Sequence, residues 1–230
     1  MTRTSDPAET AYAALGAEPV LARLVSVYGQ PNPFEWFDGG RTGTSKFAAM
    51  VLHITGQRIS AAAAFTVFDR IATAAGSIPG PDSLLTLGTA RLRDLGLSEA
   101  KANCLVELAK RQASGRIDLD NMGALSDDEV VSALTAIPGV GSWSAQAFLL
   151  RQLRRPDILP ADDTGVRCAV AREWRLASPP TPRRVRDMSA EWAPYRSYAA
   201  ALLWRSLKPP GEPSDPKARA LARAATRTTG

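Results

Sequence analysis

Leu134-Thr-Ala-Ile-Pro-Gly-Val-Gly-Ser-Trp-Ser-Ala145 is the stretch on which the reading of this chain turns. A helical pattern over about 127–136 runs into it, and Ser126 with Glu129 supplies a capping box for that helix. Two glycines then turn the chain, and a second helix starts at once, with Ala145, Phe148, Leu149 and Leu153 at helical spacing. Glycine tolerates positive φ and lets bare backbone approach a partner. The first N–H groups of a helix lack internal acceptors and sit at the positive end of its dipole. Gly139, Val140, Gly141 and Ser142 therefore read as a cluster of backbone donors for one anion, and a DNA phosphate suits it without any side-chain charge. The same Pro-Gly-x-Gly turn also makes a plain corner between helices, so the turn alone leaves both readings open.

Outward from the turn, the chain reads as helices throughout. No segment alternates with a period of two between hairpin turns. Helices are expected at about 8–28, 45–56, 59–76, 82–95, 98–114, 127–136, from 142 onward, and at 163–175, 182–192 and 195–207. A Gly/Pro-rich loop fills 30–44, and a basic Pro/Ala/Arg/Thr tail begins near 209. The expected organisation has four parts. Residues 1–44 pack as a helix and loop on the C-terminal lobe, 45–125 form one helical lobe, 126–208 form a second lobe holding the turn, and 209–230 form the tail.

Composition narrows the chemistry. The 230 residues carry 28 basic and 23 acidic side chains, a net +5 that suits a polyanionic partner. Arginines crowd the second half: Arg151, Arg154, Arg155, Arg167, Arg172, Arg175, Arg183, Arg184 and Arg186. Two cysteines, Cys104 and Cys168, rule out a four-cysteine cluster, and one histidine leaves little for a zinc site or a catalytic triad. That residue, His53, lies in an apolar run and reads as a packed helix residue. No apolar run reaches membrane-spanning length, and the first residues lack the layout of a secretion signal. The expectation is a cytoplasmic, nucleoid-associated protein.

One helix length past the turn stands Arg155-Pro-Asp-Ile-Leu-Pro-Ala-Asp-Asp-Thr-Gly-Val-Arg167. Pro160 breaks the preceding segment, and Asp162 or Asp163 opens the next helix. In isolation the pair is an N-cap; near a phosphate clamp, a carboxylate fixed at a helix start is also placed to face a sugar carbon. The two stretches together resemble the helix-hairpin-helix, Gly-Pro, Asp superfamily of DNA glycosylases, in the manner of the 3-methyladenine DNA glycosylase II type. Two further segments agree: Ile54-Thr-Gly-Gln-Arg-Ile-Ser-Ala-Ala-Ala-Ala64 and Trp192-Ala-Pro-Tyr-Arg-Ser-Tyr-Ala-Ala-Ala-Leu-Leu-Trp204. The resemblance spans about 45–207 with its motifs in order.

The resemblance implies an all-α, two-lobed fold with the active-site cleft between lobes, and it selects Asp163 over Asp162 as the catalytic carboxylate. Members that also cut the backbone carry a lysine two residues after the second turn glycine; Trp143 stands there, which implies base release with water as nucleophile and no lyase step. Trp143, Trp204 and Tyr195 are implied pocket residues. An electron-rich ring favours a cationic base by about 0.5–2 kcal/mol. Either tryptophan and the tyrosine also make sense as packed core. Gln57 and Arg58 fall where relatives insert a wedge beside the flipped nucleotide, though an arginine there departs from the usual apolar or amide side chain. The backbone carbonyls of Thr135, Ile137 and Gly139 are where relatives hold a Na+ or K+ ion; no other cofactor is expected. Ala147 stands where some members have an aromatic, which implies a roomier pocket. The implied partner is double-stranded DNA with a damaged base, met by a monomer, in base excision repair of alkylation damage. Two alternatives stand beside this: a non-catalytic damage-binding protein of the same fold, and a glycosylase for a neutral lesion such as uracil or hypoxanthine, which needs more pocket donors than the chain offers.

Overall fold

The computed structural model describes residues 6–35 and 37–210, so the tail expected from 209 lies almost wholly outside the described residues. Among these there are α-helices, two short 3-10 turns and no strands, so the all-α expectation holds. The helices are α1 (Pro7–Leu15), α2 (Pro19–Tyr28), α3 (Lys46–Thr55), α4 (Ala61–Ala75), α5 (Pro81–Asp94), α6 (Glu99–Ala113), α7 (Asp127–Thr135), α8 (Ser142–Arg151), α9 (Thr164–Glu173), α10 (Pro182–Met188) and α11 (Arg196–Ser206). Contacts divide the chain into two units. One is 38–153; the other joins the residues before 38 to those after 153.

In the 38–153 unit, α3 is the central helix: every residue from Phe47 to Thr55 is buried, and α4, α6 and α8 pack against it. Side-chain caps start most helices here. Ser45, Ser60 and Ser98 each accept a backbone N–H three residues on, and Ser126 with Glu129 forms the expected capping box. His53 is 3% exposed within this core, as its apolar surroundings suggested. Burial, with the Arg151 charge adding to it, pushes its pKa down to about 3, so the ring is neutral at physiological pH.

In the other unit α11 is central, with α1, α2 and α9 against it. Ser197 through Leu203 are buried along it. The ring of Tyr198 meets Tyr12, Phe34 and Tyr195 edge-on, with centroids 5.4, 5.6 and 6.2 Å away.

Three expectations change. The helix of 8–28 is two helices, because Pro19 has no N–H for the carbonyl one turn back and instead starts α2. The helix of 182–192 ends at Met188 and continues as a 3-10 turn over Ala190–Trp192. The boundary after 125 is not where contacts thin. α7 and α8 pack on each other and α8 on α3, so the hairpin belongs with 38–153 and the carboxylate segment with α11.

Candidate functional site

The hairpin is a tight turn between α7 and α8. Val140 N–H donates to Ile137 O at 3.0 Å, with Pro138 and Gly139 at the corners. Gly139 has φ +93°, a conformation the third position of such a turn requires of glycine. A Cβ there would also lie 3.0 Å from Cys104 Cβ and 3.1 Å from its sulfur, so α6 passes directly beneath the turn. Val140 is buried and its N–H closes the turn, which takes it out of the expected donor set. Gly139, Gly141 and Ser142 remain as exposed residues. Gly141 caps α8 in an extended conformation (φ −90°, ψ 171°) and brings no side-chain acceptor to the first turn. Trp143, in that first turn, is 39% exposed.

Gln57 does not project from its loop. Its amide donates to Gly139 O at 3.1 Å and to Ser144 Oγ at 3.0 Å, which turns the side chain expected to meet DNA onto the hairpin itself. The next residue, Arg58, is exposed and sits at φ +58°, and Ile59 is 42% exposed. Ile59 lies in the 54–64 segment but had no role in the sequence reading; its exposed apolar side chain in this loop is the feature that singles it out.

The carboxylate segment belongs to the other unit. Asp162 and Asp163 separate clearly. Asp162 is exposed and 3.7 Å from Arg186, a surface pair. Asp163 is half-buried and is the N-cap of α9. Its Oδ1 accepts Val166 N–H at 2.8 Å and the indole Nε1–H of Trp204 at 2.9 Å. Trp204, read as a pocket wall, thus holds the carboxylate. Gly165 makes room for this: a Cβ there would lie 3.0 Å from Oδ1 and 3.4 Å from Trp204 Cδ1. Tyr195 is half-buried at the start of α11, packed towards Tyr198.

The chain leading to Asp163 is anchored on α11 as well. Arg196 grips Asp157 through Nε and Nη2, both at 2.7 Å. Ser197 Oγ accepts Ile158 N–H at 2.9 Å and donates to Arg155 O at 2.6 Å. The Arg-Ser pair of the Trp192–Trp204 stretch therefore has a physical task, to fix 155–159 so that Asp163 arrives at the start of α9. Arg196, Ser197, Asp157 and Gly165 were not singled out from sequence; the contiguous Tyr-Arg-Ser-Tyr in a segment already noted was the available signal. Among the described residues no group of three or more His, Cys, Asp and Glu side chains has metal-binding geometry, and no helix is long and apolar enough to cross a membrane.

Known proteins resemble this chain in both sequence and fold. The family model described as HhH-GPD superfamily base excision DNA repair protein matches residues 51–195. DNA-3-methyladenine glycosylase 1 of Schizosaccharomyces pombe is 29% identical over 196 residues, 84% of each chain. The Bacillus subtilis protein YfjP is 31% identical over 171 residues, 71% of this chain and 60% of its own, so this chain spans somewhat under two thirds of that relative. The solved S. pombe 3-methyladenine DNA glycosylase in complex with abasic DNA superposes with a TM-score of 0.73 at 27% identity, covering 86% of this chain and 96% of that one. With the matched span running from α3 through the hairpin and Asp163 to Tyr195, the chain belongs to the HhH-GPD superfamily of base excision DNA repair proteins.

Proposed function

We propose that this chain is a monofunctional DNA glycosylase that excises N-alkylated purines from double-stranded DNA by hydrolysing the N-glycosidic bond. The observation that carries the reading is the Asp163 carboxylate, held at the start of α9 by Val166 N–H and Trp204 Nε1–H in a chain that also bears a glycine-capped hairpin. Both S. pombe comparisons are with proteins named as 3-methyladenine DNA glycosylases, which supports the substrate class.

In this reading the hairpin donors of Gly139, Gly141 and Ser142 hold a backbone phosphate, and the target nucleotide leaves the stack. The bond from C1′ to the purine N9 breaks with both electrons going to the base. An alkylated purine is already cationic, so it departs neutral and needs no strong general acid. Positive charge develops on the sugar and is stabilised by Asp163. A water oxygen bonds to C1′, and its proton passes to the carboxylate or to solvent. Trp143 stands where an attacking lysine would, so no Schiff base forms and the strand stays intact. Its exposed ring suits a cationic base, and Tyr195, in the other unit, is a further aromatic assigned to the base. Arg58, at the exposed loop tip, fills the gap left in the stack. A Na+ or K+ ion on the carbonyls of Thr135, Ile137 and Gly139 fits the donor set. Ile137 O and Gly139 O each accept one hydrogen bond and keep a second lone pair. Such an ion would supply charge toward the phosphate and nothing to the bond cleavage. The working location is the nucleoid, where the substrate is.

The test is base release from duplexes holding 3-methyladenine, 7-methylguanine, 1-methyladenine, ethenoadenine, hypoxanthine or uracil. The expected result is release led by the cationic methylpurines, leaving uncut abasic strands. No free base from any of them would leave a damage-binding protein, and release led by uracil or hypoxanthine would overturn the substrate class.

A further inference from the structure

Gln57 and Lys101 form a clamp that the proposed chemistry does not itself require. The Gln57 amide has two N–H donors, and its contacts go to two points of the hairpin, Gly139 O and Ser144 Oγ. Ser144 is 2% exposed, so its hydroxyl is a buried group satisfied by this contact. On the other side of the loop, Lys101 Nζ donates to Thr55 O at 2.8 Å and to Gln57 O at 2.7 Å. These carbonyls sit at the C-terminal end of α3, where acceptors are orphaned and the helix dipole is negative, so an ammonium group is well matched. Lys101 belongs to α6, and one turn further along α6 Cys104 lies directly under Gly139. One helix therefore supports both the hairpin and the α3–α4 loop, and Gln57 closes the triangle. The loop then leads out through Arg58, in left-handed backbone, to exposed Ile59.

We propose that Gln57 and Lys101 are positioning residues that lock the α3–α4 loop onto the hairpin, so that gripping the strand and presenting Arg58 and Ile59 to the stack occur in one register. The proposal rests on the reading of the chain as a base-flipping glycosylase. Loss of the clamp slows extrusion of a stacked base while leaving the bond cleavage itself intact.

The experiment uses the full chain with Gln57→Met, which keeps the length of the side chain, adds no charge and removes both donors. Single-turnover release of 7-methylguanine is measured from paired duplex and from single strand, where the base is not held in a duplex. The expected result is a loss of roughly tenfold or more on duplex and less than about threefold on single strand, since misplacement of a distant positioning group carries costs of this order. Lys101→Met gives the same split. Adding Ser144→Ala to Gln57→Met changes little further, because both act through one bond. Amide hydrogen exchange over 136–142 rises about tenfold in Gln57→Met, a readout that requires no catalysis. Unchanged exchange in the hairpin, or equal losses on both substrates, overturns the clamp. Absence of base release by the wild-type chain overturns the functional reading instead, while the exchange measurement still decides the clamp.

Discussion

The starts of α8 and α9 are the same kind of structure built with opposite sign. α8 begins at Gly141, which offers no side-chain acceptor to the donors of its first turn. α9 begins at Asp163, whose carboxylate accepts Val166 N–H and in doing so is fixed in place. A helix start always carries unmatched donors and partial positive charge. What differs is whether the cap residue answers them. Left open, the start is a receptor for an external anion. Closed by aspartate, it holds an anion of its own. Under the proposed function, that single difference at each cap gives one helix to the phosphate and the other to the sugar.

The most severe way to break that contrast is to close the open end. Gly141→Asp gives α8 the cap that α9 has. A like charge set against phosphate costs several kcal/mol, so duplex affinity should fall by more than about 100-fold. The helix itself gains a good cap, worth roughly 0.5–2 kcal/mol, and thermal melts should show no loss of stability. Binding titrations beside melts read both; unaltered affinity would show that this turn does not hold the strand.

A milder way is to loosen the closed end. Trp204→Phe keeps the ring and removes the Nε1–H donor on Oδ1. Hydrogen bonds to charged groups are worth roughly 1.5–3 kcal/mol, which sets an expected loss of about 10- to 100-fold in single-turnover base release, with affinity for duplex kept. A drop in affinity with an unchanged cleavage rate would make Trp204 a pocket wall and not a holder of the carboxylate.

The smallest effect sharpens the contrast from the core side. His53, in the helix that packs behind α8, has its pKa pushed down to about 3 from 6.5. The unfolded chain binds a proton there that the folded one refuses, so its stability contribution is intact above about pH 6.5 and is lost as pH falls toward 3. The melting temperature should decline over pH 6.5–4, and His53→Leu should flatten that decline. Parallel slopes for the two proteins would contradict it.

Both helix starts were legible in sequence because each rests on local chemistry: glycines at a turn, an aspartate after a proline. The capping box of α7 was legible for the same reason, and the bounds of α3, α4, α6 and α7 fell within two residues of those expected. Non-local matters were not. The partners of Gln57 lie 82 and 87 residues away, so its inward turn onto the hairpin left no trace in its own segment. Arg196 and Asp157 are 39 residues apart, and nothing in either neighbourhood marks them as a pair. The break at Pro19 went unread because apolar spacing continues through it, while the missing N–H that ends the helix is a backbone fact that side-chain periodicity does not register. The unit boundary failed similarly, since it follows the packing of α8 on α3 and not any shift in composition.

Asp163→Asn is the decisive comparison, because asparagine caps a helix about as well as aspartate and leaves the fold as its own control. Single-turnover release of methylated purine from duplex should fall by about 10²–10³-fold or more, with duplex affinity and melting temperature close to those of the wild type. Release at the wild-type rate by the asparagine variant would mean that the charge at the start of α9 takes no part in breaking the glycosidic bond.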